Sequence, residues 1–166
     1  MSSAPSAADA VVVCPEQRVE AAWIDYNGHM NMAFYNVAFD RALDHVYDLL
    51  GIGADYVAEG GGSCFTAEVH VNYLQELLLD DPIRVEFQLL DRDAKRLHFF
   101  EHMYHAEQGY LAATSEQLAI HVDMASRRAA PFPADAAARI DALFERHAAL
   151  PRPELAGRTI GIRRKS

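Results

Sequence analysis

Trp23-Ile24-Asp25-Tyr26-Asn27-Gly28-His29-Met30-Asn31 runs straight into a long apolar-periodic stretch, Met32 to Leu50. There Phe34, Val37, Ala38, Ala42, Val46 and Leu50 recur at helical spacing, and Ala33, Phe39, Leu43, Tyr47 and Leu49 widen the apolar face. The spacing predicts a helix over 32–50, buried on most sides, with Asn31 as its N-cap and Gly51 as its stop. The approach to that helix holds one carboxylate, Asp25, and a tight turn at Gly28. A carboxylate can attack a carbonyl carbon or activate a water, and the free N–H groups of a helix's first turn can hold the oxygen of the same carbonyl. Asp, Asn and Gly are equally what a plain turn and cap require, so local chemistry alone leaves both readings open.

Outward from the helix the period changes. Gly60-Gly61-Gly62 reads as a flexible connection. Phe65, Ala67, Val69, Val71 and Tyr73 then alternate with Cys64, Thr66, Glu68, His70 and Asn72, which predicts a strand. Ile83 to Leu89 and Leu97 to His105 predict two more, separated by the polar turn 91–95. Glu107-Gln108-Gly109 is a hairpin signal before a fourth, Tyr110 to Val122. Short links imply an antiparallel meander. Upstream, Arg18 to Trp23 is expected as a first short strand; downstream, Ala134 to Leu150 is expected as a helix, with Ile140, Leu143, Phe144 and Ala148 on one face. The fold class expected is α+β, one long helix wrapped by an antiparallel sheet plus a C-terminal helix. The domain limits expected are a flexible tail over 1–16, the folded unit over 17–150 and a basic tail over 151–166.

The 166 residues are enough for one domain, and 51% of them are hydrophobic, enough for a real core. A formal charge of −9 argues against a nucleic-acid partner, since phosphate contacts need clustered cations. Cys14 and Cys64 form no metal or redox motif and no disulfide framework, which points to a reducing cytoplasm. No apolar run reaches membrane-spanning length. His98, His102 and His105 are too spread along one strand for zinc, so sheet-surface histidines and no metal are expected. No phosphate-binding glycine loop or serine nucleophile elbow is present, and no cofactor is expected.

Asp-x-x-Gly-His-x-Asn followed by an aromatic at Tyr35 resembles the active-site segment of hotdog-fold acyl-CoA thioesterases related to 4-hydroxybenzoyl-CoA thioesterase. The resemblance implies a hotdog fold and hydrolysis of an acyl-CoA thioester. It implies Asp25 as the attacking group or general base and the Met32 backbone N–H as oxyanion donor. His29 can contact substrate or leaving sulfur, and Asn31 can orient Asp25. Further stretches resemble one subgroup that hydrolyses betainyl-CoA in bacterial carnitine breakdown: His70-Val71-Asn72-Tyr73-Leu74, Asp93 to His98, His121 to Met124, Ala130-Pro131-Phe132-Pro133 and Leu150-Pro151-Arg152-Pro153. A trimethylammonium acyl head is hosted by aromatic faces and carboxylates. Trp23, Tyr26, Tyr35, Phe65, Tyr73 and Glu68 are the residues available for it. Two alternatives on the same fold are a non-catalytic acyl-CoA binder, which has no need of Asp25, and an enoyl-CoA hydratase, whose motif is not matched. The partners expected are the acyl-CoA and further copies of the chain, as a homodimer or homotetramer, because a single hotdog sheet leaves an edge strand open.

Overall fold

The computed structural model describes residues 10–162 and 164. Its centre is helix α1, Met32–Leu50. Asn31 caps it, its side chain accepting from the Ala33 N–H, and Gly51 ends it in the left-handed region at φ 74°, where a side chain would be strained. These are the bounds and caps the sequence predicts. Burial is narrower than expected. Tyr35, Ala38, Phe39, Ala42, Leu43, Val46, Tyr47 and Leu50 are buried, whereas Met32, Val37 and Leu49 remain exposed.

The sheet that receives α1 consists of β1 (Val12–Val13), β2 (Gln17–Arg18), β3 (Gly62–Tyr73), β4 (Pro82–Arg92), β5 (Arg96–His105), β6 (Leu111–Asp123) and β7 (Arg128–Ala129). The order is β1-β4-β5-β6-β3, with β2 also on β4 and β7 on β6, and every pairing is antiparallel. Only β4-β5-β6 forms a meander. The chain leaving β3 crosses the sheet to start β4, so β3 pairs with β6 and ends at the margin of the sheet. Ile83, Val85, Phe87, Leu89, Leu97, Phe99, Met103, Ala113 and Ala119 face the helix in one core with Phe39, Leu43 and Val46. Each large side chain fully removed from water contributes about 1.5–3 kcal/mol, so this face holds helix and sheet together.

A bulge between Thr66 and Glu68 resets the alternation of β3. Before it, Cys64 and Thr66 share the inner face with Val69, Val71 and Tyr73, while Phe65 joins Glu68, His70 and Asn72 on the outer face; the register with β6 fixes both sets. Strict alternation had placed Phe65 with Tyr73.

Other expectations need correction. Gln17–Arg18 is the short strand; Ala21–Trp23 is a 3-10 turn rather than its continuation. A short helix, α2, occupies Ala54–Ala58. Gly60–Gly62 is a packed junction more than a flexible link, since a Cβ at Gly61 would overlap the Tyr56 ring and Gly62 already belongs to β3. The segment expected as tail over 1–16 is ordered from residue 10, because β1 pairs with β4 and Cys14 N–H donates to the Val85 carbonyl. Residues 1–9 lie outside the described residues.

Helix α3, Ala134–His147, packs Ala136, Ile140, Leu143 and His147 inward. Beyond it, residues 151–158 have no regular structure, as expected, yet they are pinned across the outer face. Gln88 donates to the Pro151 carbonyl, Gly157 N–H donates to Glu116 Oε2 at 2.6 Å, and Arg158 donates to Asn72 Oδ1 at 2.6 Å. Gln88, Phe100 and Glu116 form one transverse row of the sheet, and Phe100 is fully buried. The basic tail is therefore a strap over four strands. Of the three histidines, His98 bonds Glu116 at 2.7 Å on the outer face, but His105 is buried beside Asp81. No group of residues suited to hold a metal ion occurs among the described residues, and none of the described helices is long and apolar enough to cross a membrane.

Candidate active site

The turn before α1 is closed by backbone bonds that leave its polar side chains free for other work. Ile24 bridges Met30, Asp25 N–H donates to the His29 carbonyl, and Gly28 N–H donates to the Asp25 carbonyl. Gly28 sits at φ 83°, which the tight reversal requires. Two longer bonds orient this loop against the domain: Asn31 N–H to the Trp23 carbonyl, and Met30 N–H to the Leu77 carbonyl at 2.8 Å. Met30 itself is buried and anchors the turn in the core.

Held this way, the Asp25 carboxylate accepts from Asn27 N–H at 2.8 Å on one oxygen and from Asn31 Nδ2 at 3.4 Å on the other. Asn31 thus has two partners. Its amide N–H reaches Asp25, and its amide oxygen takes the Ala33 N–H at 3.0 Å. Phe34 N–H is taken by the Asn31 carbonyl. Met32 is left as the first-turn donor without a partner among the described residues, at the positive end of the α1 dipole. The Asp25 carboxylate, the Asn31 amide and the Ala33 N–H are therefore consecutive links of one hydrogen-bonded chain, with the free Met32 N–H next to it in sequence.

Beside Met32 lies a cavity of about 260 Å³ bounded by His29, Met30, Met32, Tyr35, Tyr73 and the segment Leu74 to Glu76. His29 Nδ1 lies 3.2 Å from the Met30 carbonyl, which can only accept, so Nδ1 carries a proton. Tyr35 is buried and its hydroxyl accepts from Leu77 N–H at 3.2 Å; burial pushes the phenol up to about 12, so it stays protonated. Tyr73 packs edge-on to Tyr35 at 5.2 Å and donates its hydroxyl to the Met32 carbonyl at 3.1 Å.

The remaining expected substrate contacts lie elsewhere. Trp23 is buried, stacked on Phe34 at 5.8 Å and covered by the Arg41 guanidinium at 4.9 Å. It supports the helix N-terminus from behind and does not border the cavity. Tyr26 stands at the tip of the turn, 98% exposed. Phe65 is on the outer face because of the bulge, and Glu68 is there with His70 and Asn72 by ordinary alternation. Glu68 borders a different depression, with Arg92, Arg96 and His98. Cys14 and Cys64 are both pushed up to about 12 by burial, which removes either thiol as a nucleophile near neutral pH.

One group went unread in the sequence. Glu101 is fully buried on the inner face, where Gln117 donates to its Oε2 at 2.9 Å and Oε1 has no partner. Burial drives its carboxyl well above the usual range, and the nearby Asp40 adds to the shift. Only its inward parity in an otherwise apolar β5 pattern marks it in the sequence.

Comparison with known proteins agrees with this geometry. Residues 19–140 match the family model of the thioesterase-like superfamily. A betainyl-CoA thioesterase of Pseudomonas aeruginosa is 40% identical over 152 residues, covering 92% of this chain and 96% of its own. An L-carnitine dehydrogenase/betainyl-CoA thioesterase of Rhizobium meliloti is 38% identical over 149 residues; the match takes in 90% of this chain and 30% of that longer protein. Among solved structures, a Staphylococcus aureus protein in complex with CoA superposes with a TM-score of 0.85 at 29% identity, covering 92% of this chain and 96% of its own. A thioesterase structure from Pseudomonas putida gives 0.80 at 34% identity, over 93% and 98%. With the family model spanning most of the fold and the motif's carboxylate and helix start in place, the chain belongs to the thioesterase-like superfamily and is a hotdog-fold acyl-CoA thioesterase.

Proposed function

We propose that this enzyme hydrolyses betainyl-CoA to betaine and free coenzyme A, with Asp25 as the reacting carboxylate and the Met32 N–H as oxyanion donor. The observation that carries the chemistry is the pair of contacts by which Asn31 holds both the Asp25 carboxylate and the Ala33 N–H, so that the carboxylate is tied to the helix start where the Met32 N–H has no partner among the described residues. A thioester needs little more. The thiolate leaves readily, so the demands are an attacking group and a donor to the developing oxyanion. Asn31 positions Asp25, and His29 borders the space where acyl group and sulfur meet. The substrate assignment rests on the end-to-end likeness to the Pseudomonas aeruginosa enzyme.

The working form is a homodimer, or a tetramer built from it. β3 terminates the sheet order, and Val69 on its inner face stays exposed, outside the cavity that Tyr73 borders. Pairing two such edges would cover Val69 and satisfy the open backbone groups. The reaction is tested by offering a panel of acyl-CoAs and following thiol release. Betainyl-CoA is expected to give the highest kcat/KM, and Asp25→Asn is expected to lower turnover by about 10² or more with the fold intact. Near-normal turnover in folded Asp25→Asn removes Asp25 from the chemistry.

A further inference from the structure

In a betainyl thioester the quaternary nitrogen is two single bonds, about 2.5 Å, from the carbonyl carbon. A carbonyl oxygen held by the Met32 N–H lies about 2.9 Å from that nitrogen atom of the backbone. The cation is therefore confined to the cavity beside Met32, and no residue on the outer face can reach it. That removes Glu68, the carboxylate the sequence suggests, and leaves the residues that border the cavity.

We infer that Tyr73 and Glu76 form the subsite that reads the positive charge of the acyl head, the ring of Tyr73 offering its face and Glu76 its carboxylate. The inference rests on the betainyl reading and refines it. Tyr73 is 44% exposed, so part of its ring is available to a ligand. Its position is set at both ends: the edge-on contact with Tyr35 at 5.2 Å and 83° fixes the ring plane, and the hydroxyl bond to the Met32 carbonyl ties it to the residue that donates to the oxyanion. Glu76 follows three residues later. Its carbonyl accepts from the Tyr110 hydroxyl at 3.0 Å, and the next residue's N–H donates to Tyr35, which locks the segment against the cavity. Among the described residues no Lys, Arg or His pairs with the Glu76 carboxylate. Its charge is felt at the cavity wall, where it contributes to the raised Tyr35 phenol. A quaternary ammonium has no proton to donate, so an electron-rich face and an unneutralised carboxylate are the two groups that favour it over an uncharged head of equal size.

The test compares kcat/KM for betainyl-CoA with that for 3,3-dimethylbutanoyl-CoA, in which carbon replaces the charged nitrogen. The ratio is independent of how much of a preparation is active, so a partly misfolded variant still reports. Wild type is expected to favour betainyl-CoA by about tenfold or more. Glu76→Gln should lower that ratio by about fivefold, and Tyr73→Leu by a similar factor, whereas Tyr73→Phe, which keeps the ring, should stay within about twofold. Glu68→Gln on the outer face should leave the ratio where it was. A wild-type ratio near one overturns the betainyl reading and the subsite with it. A high wild-type ratio that survives both Glu76→Gln and Tyr73→Leu overturns the subsite alone.

Discussion

Lowering the pH from 7 to 5 should cost the wild-type protein about 2 kcal/mol of stability through His147 alone. This ring ties three parts of the chain together. Nδ1 accepts from the Leu89 N–H of β4 at 2.8 Å, and Nε2 lies 3.0 Å from the Ala10 carbonyl. Both bonds require the neutral ring with its proton on Nε2, since a second proton on Nδ1 would meet the Leu89 N–H head-on. Burial first, and the neighbouring Arg146 charge second, lower the folded pKa from 6.5 to about 4. In the unfolded chain the ring takes its proton near 6.5. Between these values the unfolded state binds more protons, so the contribution is fully present above about 6.5 and drains away as pH falls toward 4. At pH 5 the linkage amounts to about 2 kcal/mol, a melting-temperature decrease of about 4–8 °C for a chain of this size. The assay is a pair of thermal or urea melts across pH 5–7 on wild type and His147→Gln, which does not titrate. The variant should be less stable at pH 7, and its deficit should shrink by about 2 kcal/mol by pH 5. Parallel profiles for the two proteins would refute the assignment.

Glu101→Gln should flatten another part of the same profile. A buried acid with a raised folded pKa holds a proton that the unfolded chain has released, so wild-type stability falls as pH rises above the usual carboxylate range; the variant should be the more stable at pH 7 and lose that advantage in acid, as read by urea titration. Asn31→Ala removes both the helix cap and the Asp25 contact. It should cost about 1 kcal/mol in stability and, separately, lower kcat more than it raises KM; an effect on KM alone would contradict the positioning role. Single turnover in ¹⁸O-water followed by mass spectrometry should place label in Asp25 if its carboxylate attacks the thioester and water then opens the mixed anhydride at Cγ, which excludes the general-base route; label in the released acid alone means that water attacked the acyl carbon, and it excludes opening of an anhydride at Asp25. Sedimentation equilibrium should give at least a dimer for wild type at micromolar concentration, and Val69→Lys on the β3 edge should weaken it; a fully active monomer would contradict the edge pairing.

Helix α1 was legible to the residue, because cap, periodicity and left-handed stop all sit within its own sequence. The same holds for the turn chemistry around Asp25, whose bonds are almost all local. What escaped has long-range causes. The two-residue strands β1 and β2 exist only because β4 offers them an edge, and neither carries a pattern of its own. The bulge between Thr66 and Glu68 inverts the faces of the first part of β3, and no local propensity marks it, which is why alternation groups Phe65 with Tyr73. The meander expected from short links failed at the one long connection, 74–81, which carries the chain from one side of the sheet to the other. Glu76 lies in that connection, where alternation gives no guidance.

The strap over residues 151–158 bears on how copies of this enzyme can be arranged. It crosses β4, β5, β6 and β3, pinned at Gln88, Glu116 and Asn72, on the face where Phe100 is buried. A third and fourth copy stacking sheet against sheet would have to lift that segment and break its bonds to Gln88, Glu116 and Asn72. While it stays down, that part of the outer wall is covered by the chain's own residues. The segment acts in this way as a bolt on that wall, and cutting the chain at residue 150 would remove its bonds to Gln88, Glu116 and Asn72 without touching the turn around Asp25.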